Sequence, residues 1–266
     1  MPFFGSQIFP VLQFIIVSSR LLIEFRQLKG GIYMKYSSTL ISTGFLLFLL
    51  ACSPKKNGFE RIEPPAVIPV PISKPQPKME SLAWEKVRAE GTNWSKYVFH
   101  LLETDLRSMI AKVQDMTIFC PKYQSLTDTQ KINALGMLIA GIAKYESDFD
   151  PLSRNRESTM GTDPITGSTV HSEGLLQLSY QDVTGWSFCE FDWNADRHLG
   201  PRDPRKTIFD PYRNLNCGLR ILAEQIDKYH RIVIDHGAYW AVLKLNGKYQ
   251  QVRAIANLVQ ILSFCQ

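Results

Sequence analysis

Glu146 stands where the apolar stripe of a helix would continue, a position at which a carboxylic acid can do proton chemistry. The segment TDTQKINALGMLIAGIAKYES opens with Thr127 and Gln130 in capping-box spacing. It then carries Ile132, Leu135, Ile139 and Ile142 at the period of one buried helix face. The next position on that face is Glu146. Burial beside an apolar wall disfavours the ionised form and raises the pKa, so such an acid keeps a proton near neutrality and can donate it. Helix-terminal glutamates more often mark an amphipathic boundary or a buried ion pair, so the neighbourhood has to decide.

Three patches form that neighbourhood: ESDFDP around Glu146 itself, STVHSEGLLQLS from Ser168, and FDPYRNLNCGLRIL from Phe209. In this order they resemble the transglycosylase SLT domain of lytic transglycosylases and goose-type lysozymes. Glu146, Ser147, Phe149 and Pro151 match that family's first motif. Ser168, Gly174, Leu175, Gln177 and Leu178 match the second, with Leu176 in place of Met and His171 and Ser172 in place of Gly and Ala. Asp210, Pro211, Asn214 and Gly218 match the third. A fourth motif is degraded: Tyr239 is kept, but Trp240 replaces Asn and Val242 replaces Gly. The resemblance runs from about Asp128 to Gln250.

The resemblance implies a mainly α, lysozyme-like fold with a small β or irregular insertion beside a glycan cleft. It implies cleavage of the β-1,4 bond between MurNAc and GlcNAc in peptidoglycan, with Glu146 as general acid and base and no cofactor or metal. Lytic transglycosylation is the leading expectation, in which the sugar's own 6-hydroxyl closes a 1,6-anhydro end. Ser168, Gln177, Tyr239, Glu173 and Asp163 are the candidate substrate-binding residues.

One departure opens an alternative. The family passes from its Glu to the second-motif Ser over a much shorter stretch than Glu146 to Ser168, and the inserted NRESTMGTDPITG has the turn chemistry of a hairpin. Asp163 or Glu157 on it could serve as a second carboxylate, which inverting hydrolysis requires to activate water. A hydrolytic lysozyme is therefore one alternative, and a glycan-binding protein without turnover is another. Asp148, Glu157, Asp163 and Glu173 would also favour a cationic, N-deacetylated sugar if two or more of them lined the cleft, although such acids are usually solvated surface charge.

The remaining motif residues read as scaffold. Gly174 permits a tight turn, Leu175 and Leu178 fit the core, and Asp210 with Pro211 reads as an N-cap followed by Pro at the first helical position. His230, next to Tyr229, falls at that helix's end, where it is favourable beside the dipole. Trp84, Trp94 and Tyr97 belong to helices ahead of the motifs and are expected to pack on the core.

With 45% hydrophobic and 21% charged residues, the composition is globular. A net charge of +5 without a Lys/Arg block excludes a nucleic-acid partner. From Met34, MKYSSTLISTGFLLFLLAC has the positive start and short apolar core of a secretory signal. Its end resembles a bacterial lipobox with Cys52 as the lipidated residue. The apolar run from Phe45 to Leu50 is too short to span a bilayer. Residues 1–33 then lie upstream of the expected start, and their run from Ile8 to Ile23 is at best a weak membrane segment. The expected organisation is 34–51 signal peptide, 52–78 Pro-rich tether, 79–119 helical extension and 120–266 catalytic domain. The product would be a monomer, lipid-anchored in the cell envelope at the outer membrane facing the periplasm, or secreted, with peptidoglycan strands as partner. Cys120, Cys189, Cys217 and Cys265 fit two disulfides in an oxidising compartment. Three connectivities are open. Cys189 with Cys217 and Cys120 with Cys265 is preferred, because the second staples the start of the domain to the chain end.

Overall fold

The computed structural model describes residues 78–266 in full and, ahead of them, only the backbone of three strands. Residues 1–69 and 70–266 are separate compact units. In the first, β1 (Ile15–Ser18), β2 (Leu21–Leu28) and β3 (Gly31–Ser37) form an antiparallel meander with Ile16 opposite Ile23 and Phe25 opposite Met34. These segments are rich in β-branched, aromatic and other apolar residues, which suit a pleated ribbon. Part of the run read as a weak membrane segment is thus strand, and Met34 lies within β3. Cys52 and nearly all of the Pro-rich tether lie outside the described residues.

The second unit is mainly α. Its helices are α1 (Gly91–Glu103), α2 (Ser108–Lys112), α3 (Asp128–Ser147), α4 (Asp182–Gly185), α5 (Trp193–Asp196), α6 (Pro211–Tyr229) and α7 (Val252–Val259). A two-stranded antiparallel sheet of β4 (Arg154–Arg156) and β5 (His171–Glu173) interrupts them. No helix among the described residues is long and apolar enough to cross a membrane.

α3 is the centre. Its capping box forms, with the Thr127 hydroxyl accepting from the Gln130 N–H and the Gln130 side chain accepting from the Thr127 N–H at 3.0 Å. Every residue from Ile132 to Ala143 is buried, so the helix is enclosed on all sides rather than along one stripe. Small residues allow this: a Cβ at Gly141 would come within 2.7 Å of Ile255 on α7. Trp84 and Trp94 are buried in the same core, edge to face at 6.0 Å, and the Trp84 indole N–H donates to Ser95 Oγ at 2.9 Å. The disulfides are Cys120–Cys265 and Cys189–Cys217, the preferred pairs.

The third motif is scaffold. Asp210 caps α6 by accepting from the N–H groups of Tyr212 and Arg213, both at 2.9 Å, and Pro211 follows at the first helical position. Asn214 is fully buried. It accepts from Leu176 N–H and donates to the carbonyls of Glu173 and Ile208, which locks the second motif onto α6. Gly174 crosses this junction at φ +81°, where a Cβ would lie 2.3 Å from Asn214 Nδ2. Gly174→Ala should therefore lose roughly 2–5 kcal/mol through backbone strain and overpacking together. Urea unfolding would measure it, and a loss under 1 kcal/mol would mean that the junction is not rigid.

Candidate active site

Glu146 occupies the last turn of α3, and the chain turns sharply just beyond it. Asp148 (φ 53°) and Phe149 (φ 62°) are both left-handed, an uncommon conformation for residues other than glycine. Burial of Phe149 against Trp84, with ring centroids 6.3 Å apart, holds the turn. The Ser147 hydroxyl lies 2.8 Å from the Leu175 carbonyl and ties the helix end to the second motif. Burial, and then the negative charge of Glu157, push the Glu146 carboxyl up to about 7. A carboxyl in that range is substantially protonated at neutral pH and is an able proton donor.

Glu157 follows β4 directly. Its N–H donates to the Val170 carbonyl at 3.0 Å, and its carboxylate accepts from Ser172 Oγ on β5 at 2.6 Å. The insertion is thus a hairpin that carries this carboxylate, whose charge is felt at Glu146. Ser172 stands where the resembled family has Ala, and its hydroxyl orients Glu157.

Tyr239 lies within electrostatic reach of both acids. Its hydroxyl donates to Asp182 Oδ2 at 2.6 Å, and its ring meets Trp186 and Trp240 edge on, at 5.6 and 4.9 Å. Burial and Asp182 hold the phenol well above its ordinary pKa, with the charges of Glu146 and Glu157 adding to the effect. One buried phenol is therefore hydrogen-bonded to Asp182 and also feels the charges of Glu146 and Glu157. Asp182 is itself buried and is pushed up to about 6 by that burial, against the lowering effect of hydrogen bonds from Ser179 and Tyr239. Trp240 is buried, with its indole N–H on the Leu176 carbonyl at 2.8 Å. It packs edge on against Tyr239 at 4.9 Å.

The other sequence candidates sit differently. Asp163 is buried and its two oxygens accept from the N–H groups of Ile165, Thr166 and Gln181, so it organises the hairpin loop. Ser168 is exposed near the loop's end, where its carbonyl accepts from Asp163 N–H at 2.8 Å. Gln177 is buried at φ 50° and spends its amide internally, donating to the Gly174 carbonyl and accepting from Asn155. Glu173 is buried and paired with Arg154 at 2.8 Å. Asp148 pairs with Lys144 on the surface. Of the four carboxylates weighed for a cationic sugar, only Glu157 is grouped with Glu146 and free of a cation. Asp182 and Trp186 are not among the sequence candidates, and Ser172 enters there only as a departure from the second motif. Asp182 had a signal, since Ser179 and Asp182 have capping-box spacing, and the Ser179 N–H does donate to Asp182 at 2.7 Å.

No protein-family model matches the chain, and neither does any curated protein. Among solved structures, the chain is similar to wild-type Bd0314 DslA (form 2), at 27% identity and a TM-score of 0.57 over 71% of this chain and all of that one. Two further structures of Bd0314 DslA, each with one glutamate changed to glutamine, match with the same coverage at 26% identity and TM-scores of 0.57 and 0.56. The two glutamates replaced there lie eleven positions apart, as do Glu146 and Glu157 here.

Proposed function

We propose that the protein is a glycan-cleaving enzyme that hydrolyses the β-1,4 bond between MurNAc and GlcNAc of peptidoglycan. The observation that carries this reading is the coupling of Glu146, a carboxyl poised near 7, with Glu157 held by Ser172. Protonated Glu146 gives its proton to the glycosidic oxygen as the bond to the anomeric carbon breaks through an oxocarbenium-like transition state. Glu157 takes a proton from water, whose oxygen bonds to the anomeric carbon on the opposite face. Solvent then returns a proton to Glu146 and removes one from Glu157. Lytic transglycosylation is the second reading, favoured by the intact first motif, because Glu146 alone can serve as acid and then as base toward the 6-hydroxyl. Preference for N-deacetylated glycan would rest on Glu157 as the anionic partner of the sugar's ammonium, and matched acetylated and deacetylated sacculi compare the two.

Glu157→Gln separates the two readings. Under hydrolysis it should lower turnover roughly 100-fold or more. It should also move the alkaline limb of the kcat/KM profile to lower pH, because losing that negative charge lowers the Glu146 pKa. Turnover within threefold of wild type would favour transglycosylation.

The two disulfides fit an oxidising compartment outside the cytoplasm. Anchoring through Cys52 is part of the proposal: Cys52→Ala should release the protein from membranes of its native host, and unchanged fractionation would remove the anchor.

A further inference from the structure

A phenol has one hydrogen to give and otherwise accepts, so the direction of a tyrosine hydroxyl beside an acid matters to that acid. Tyr239 gives its hydrogen to Asp182 Oδ2 at 2.6 Å, while Trp186 and Trp240 meet its ring edge on. Asp182 is fixed in turn: it is buried at the start of α4, and the same oxygen accepts from the Ser179 N–H at 2.7 Å. Two consecutive carbonyls bring this pair close to the acid. The hydroxyl of Ser147, one residue past Glu146, lies 2.8 Å from the Leu175 carbonyl, and the indole N–H of Trp240, one residue past Tyr239, donates to the Leu176 carbonyl at 2.8 Å. Tyr239 accordingly feels the charge of Glu146 and, less strongly, that of Glu157. Glu146 is governed by its burial and by Glu157, and its carboxyl takes no hydrogen bond from the described residues. A donor within reach of the acid is thus committed elsewhere.

We propose that Asp182 is a positioning residue: by taking the hydrogen of the Tyr239 hydroxyl it withholds that donor from Glu146, so that Glu146 keeps its own proton for the leaving oxygen. A hydroxyl hydrogen given to Glu146 would stabilise the ionised carboxylate and favour loss of that proton, whereas a hydroxyl that can only accept favours the protonated form. Asp182 acts through Tyr239, since the charge felt at Glu146 is that of Glu157. Burial, with Asp163 adding to it, pushes Asp182 up to about 6, still below the value of about 7 at Glu146, so Asp182 is largely ionised while Glu146 titrates. The inference rests on the glycan-cleaving reading of Glu146.

The test is a pH titration of the full chain by carbon NMR, with glutamate labelled at its side-chain carboxyl and the Glu146 signal identified by its absence in Glu146→Gln. Asp182→Ala should lower the Glu146 midpoint by about one pH unit, because the freed hydroxyl turns its hydrogen to the acid. The ratio of wild-type to variant kcat/KM should then rise roughly fivefold between pH 5 and pH 7. Asp182→Asn, the gentler change for folding, keeps an acceptor where the carboxylate oxygen was and should leave the midpoint within about 0.3 pH unit of wild type. In a Tyr239→Phe background, which has no hydroxyl to release, Asp182→Ala should add no further fall; a merely structural role for Asp182 would not depend on that hydroxyl. An unmoved midpoint in Asp182→Ala, an equal fall with and without the Tyr239 hydroxyl, or a full fall in Asp182→Asn would overturn the positioning role without touching the glycan-cleaving reading. Sacculi left intact by wild-type protein would overturn that reading, and with it the catalytic purpose given to Asp182, whatever the midpoints.

Discussion

Glu146→Gln is expected to lower turnover on peptidoglycan about 100-fold to 10,000-fold while making the protein more stable at alkaline pH. The amide keeps the shape of the side chain but has no proton to give to a leaving oxygen, and general acid catalysis is worth about that factor. The stability effect follows from the raised pKa, about 7 in the folded protein against an ordinary 4.5. Between those values the folded state holds the proton more tightly than the unfolded chain does, so wild-type stability falls as pH rises from about 4.5 to 7. Glutamine removes that dependence. The variant should match wild type near pH 4 and exceed it by roughly 1–3 kcal/mol at pH 8, with partial exposure keeping the gain below the full shift. Thermal melts at the two pH values, beside rates on sacculi, give both numbers. A variant above a tenth of wild-type activity would remove Glu146 from the mechanism, and one less stable than wild type at pH 8 would mean that its carboxylate is held by an attraction.

The second large effect belongs to the Cys120–Cys265 bridge, which closes a loop of 145 residues. Cys120 precedes α3, Cys265 follows α7, and both are fully buried. The eight-residue α7 is too short to persist alone and depends on its contact with α3. Replacing both cysteines by alanine should cost about 2–5 kcal/mol and lower Tm by roughly 5–15 °C. Activity at low temperature should survive, since the bridge is not part of the Glu146 cluster. An unchanged Tm would show that packing of Ile255 against Gly141 suffices.

How much of this was legible in the sequence depends on the range of the interaction involved. The start of α3 is local, since Thr127 and Gln130 meet within one turn, and it forms as read. The apolar stripe understates the burial of α3, because Gly136, Ala140 and Gly141 admit neighbours on faces where the periodic pattern offers no bulky residue. The mainly α class with a small insertion comes from the family resemblance, and the turn residues between Glu157 and Ser168 add only that the insertion is a hairpin. Glu146 and Glu157 are visible as acids in the right neighbourhood. Asp163 and Gln177 look equally chemical, but the chain uses them on itself, because a hairpin loop and a left-handed turn leave backbone groups that polar side chains must satisfy. Asp182 shows locally only its cap with Ser179; its role beside Tyr239, 57 positions away, is encoded by no local pattern.

The central claim is that Glu146 and Glu157 act together to hydrolyse a glycosidic bond. The most direct measurement is digestion of purified sacculi by wild-type protein in water enriched in heavy oxygen, with mass spectrometry and NMR of the released fragments. The account predicts that each new reducing end carries one heavy oxygen and first appears as the α anomer, inverted from the β bond that was cut. Unlabelled 1,6-anhydro ends would contradict it.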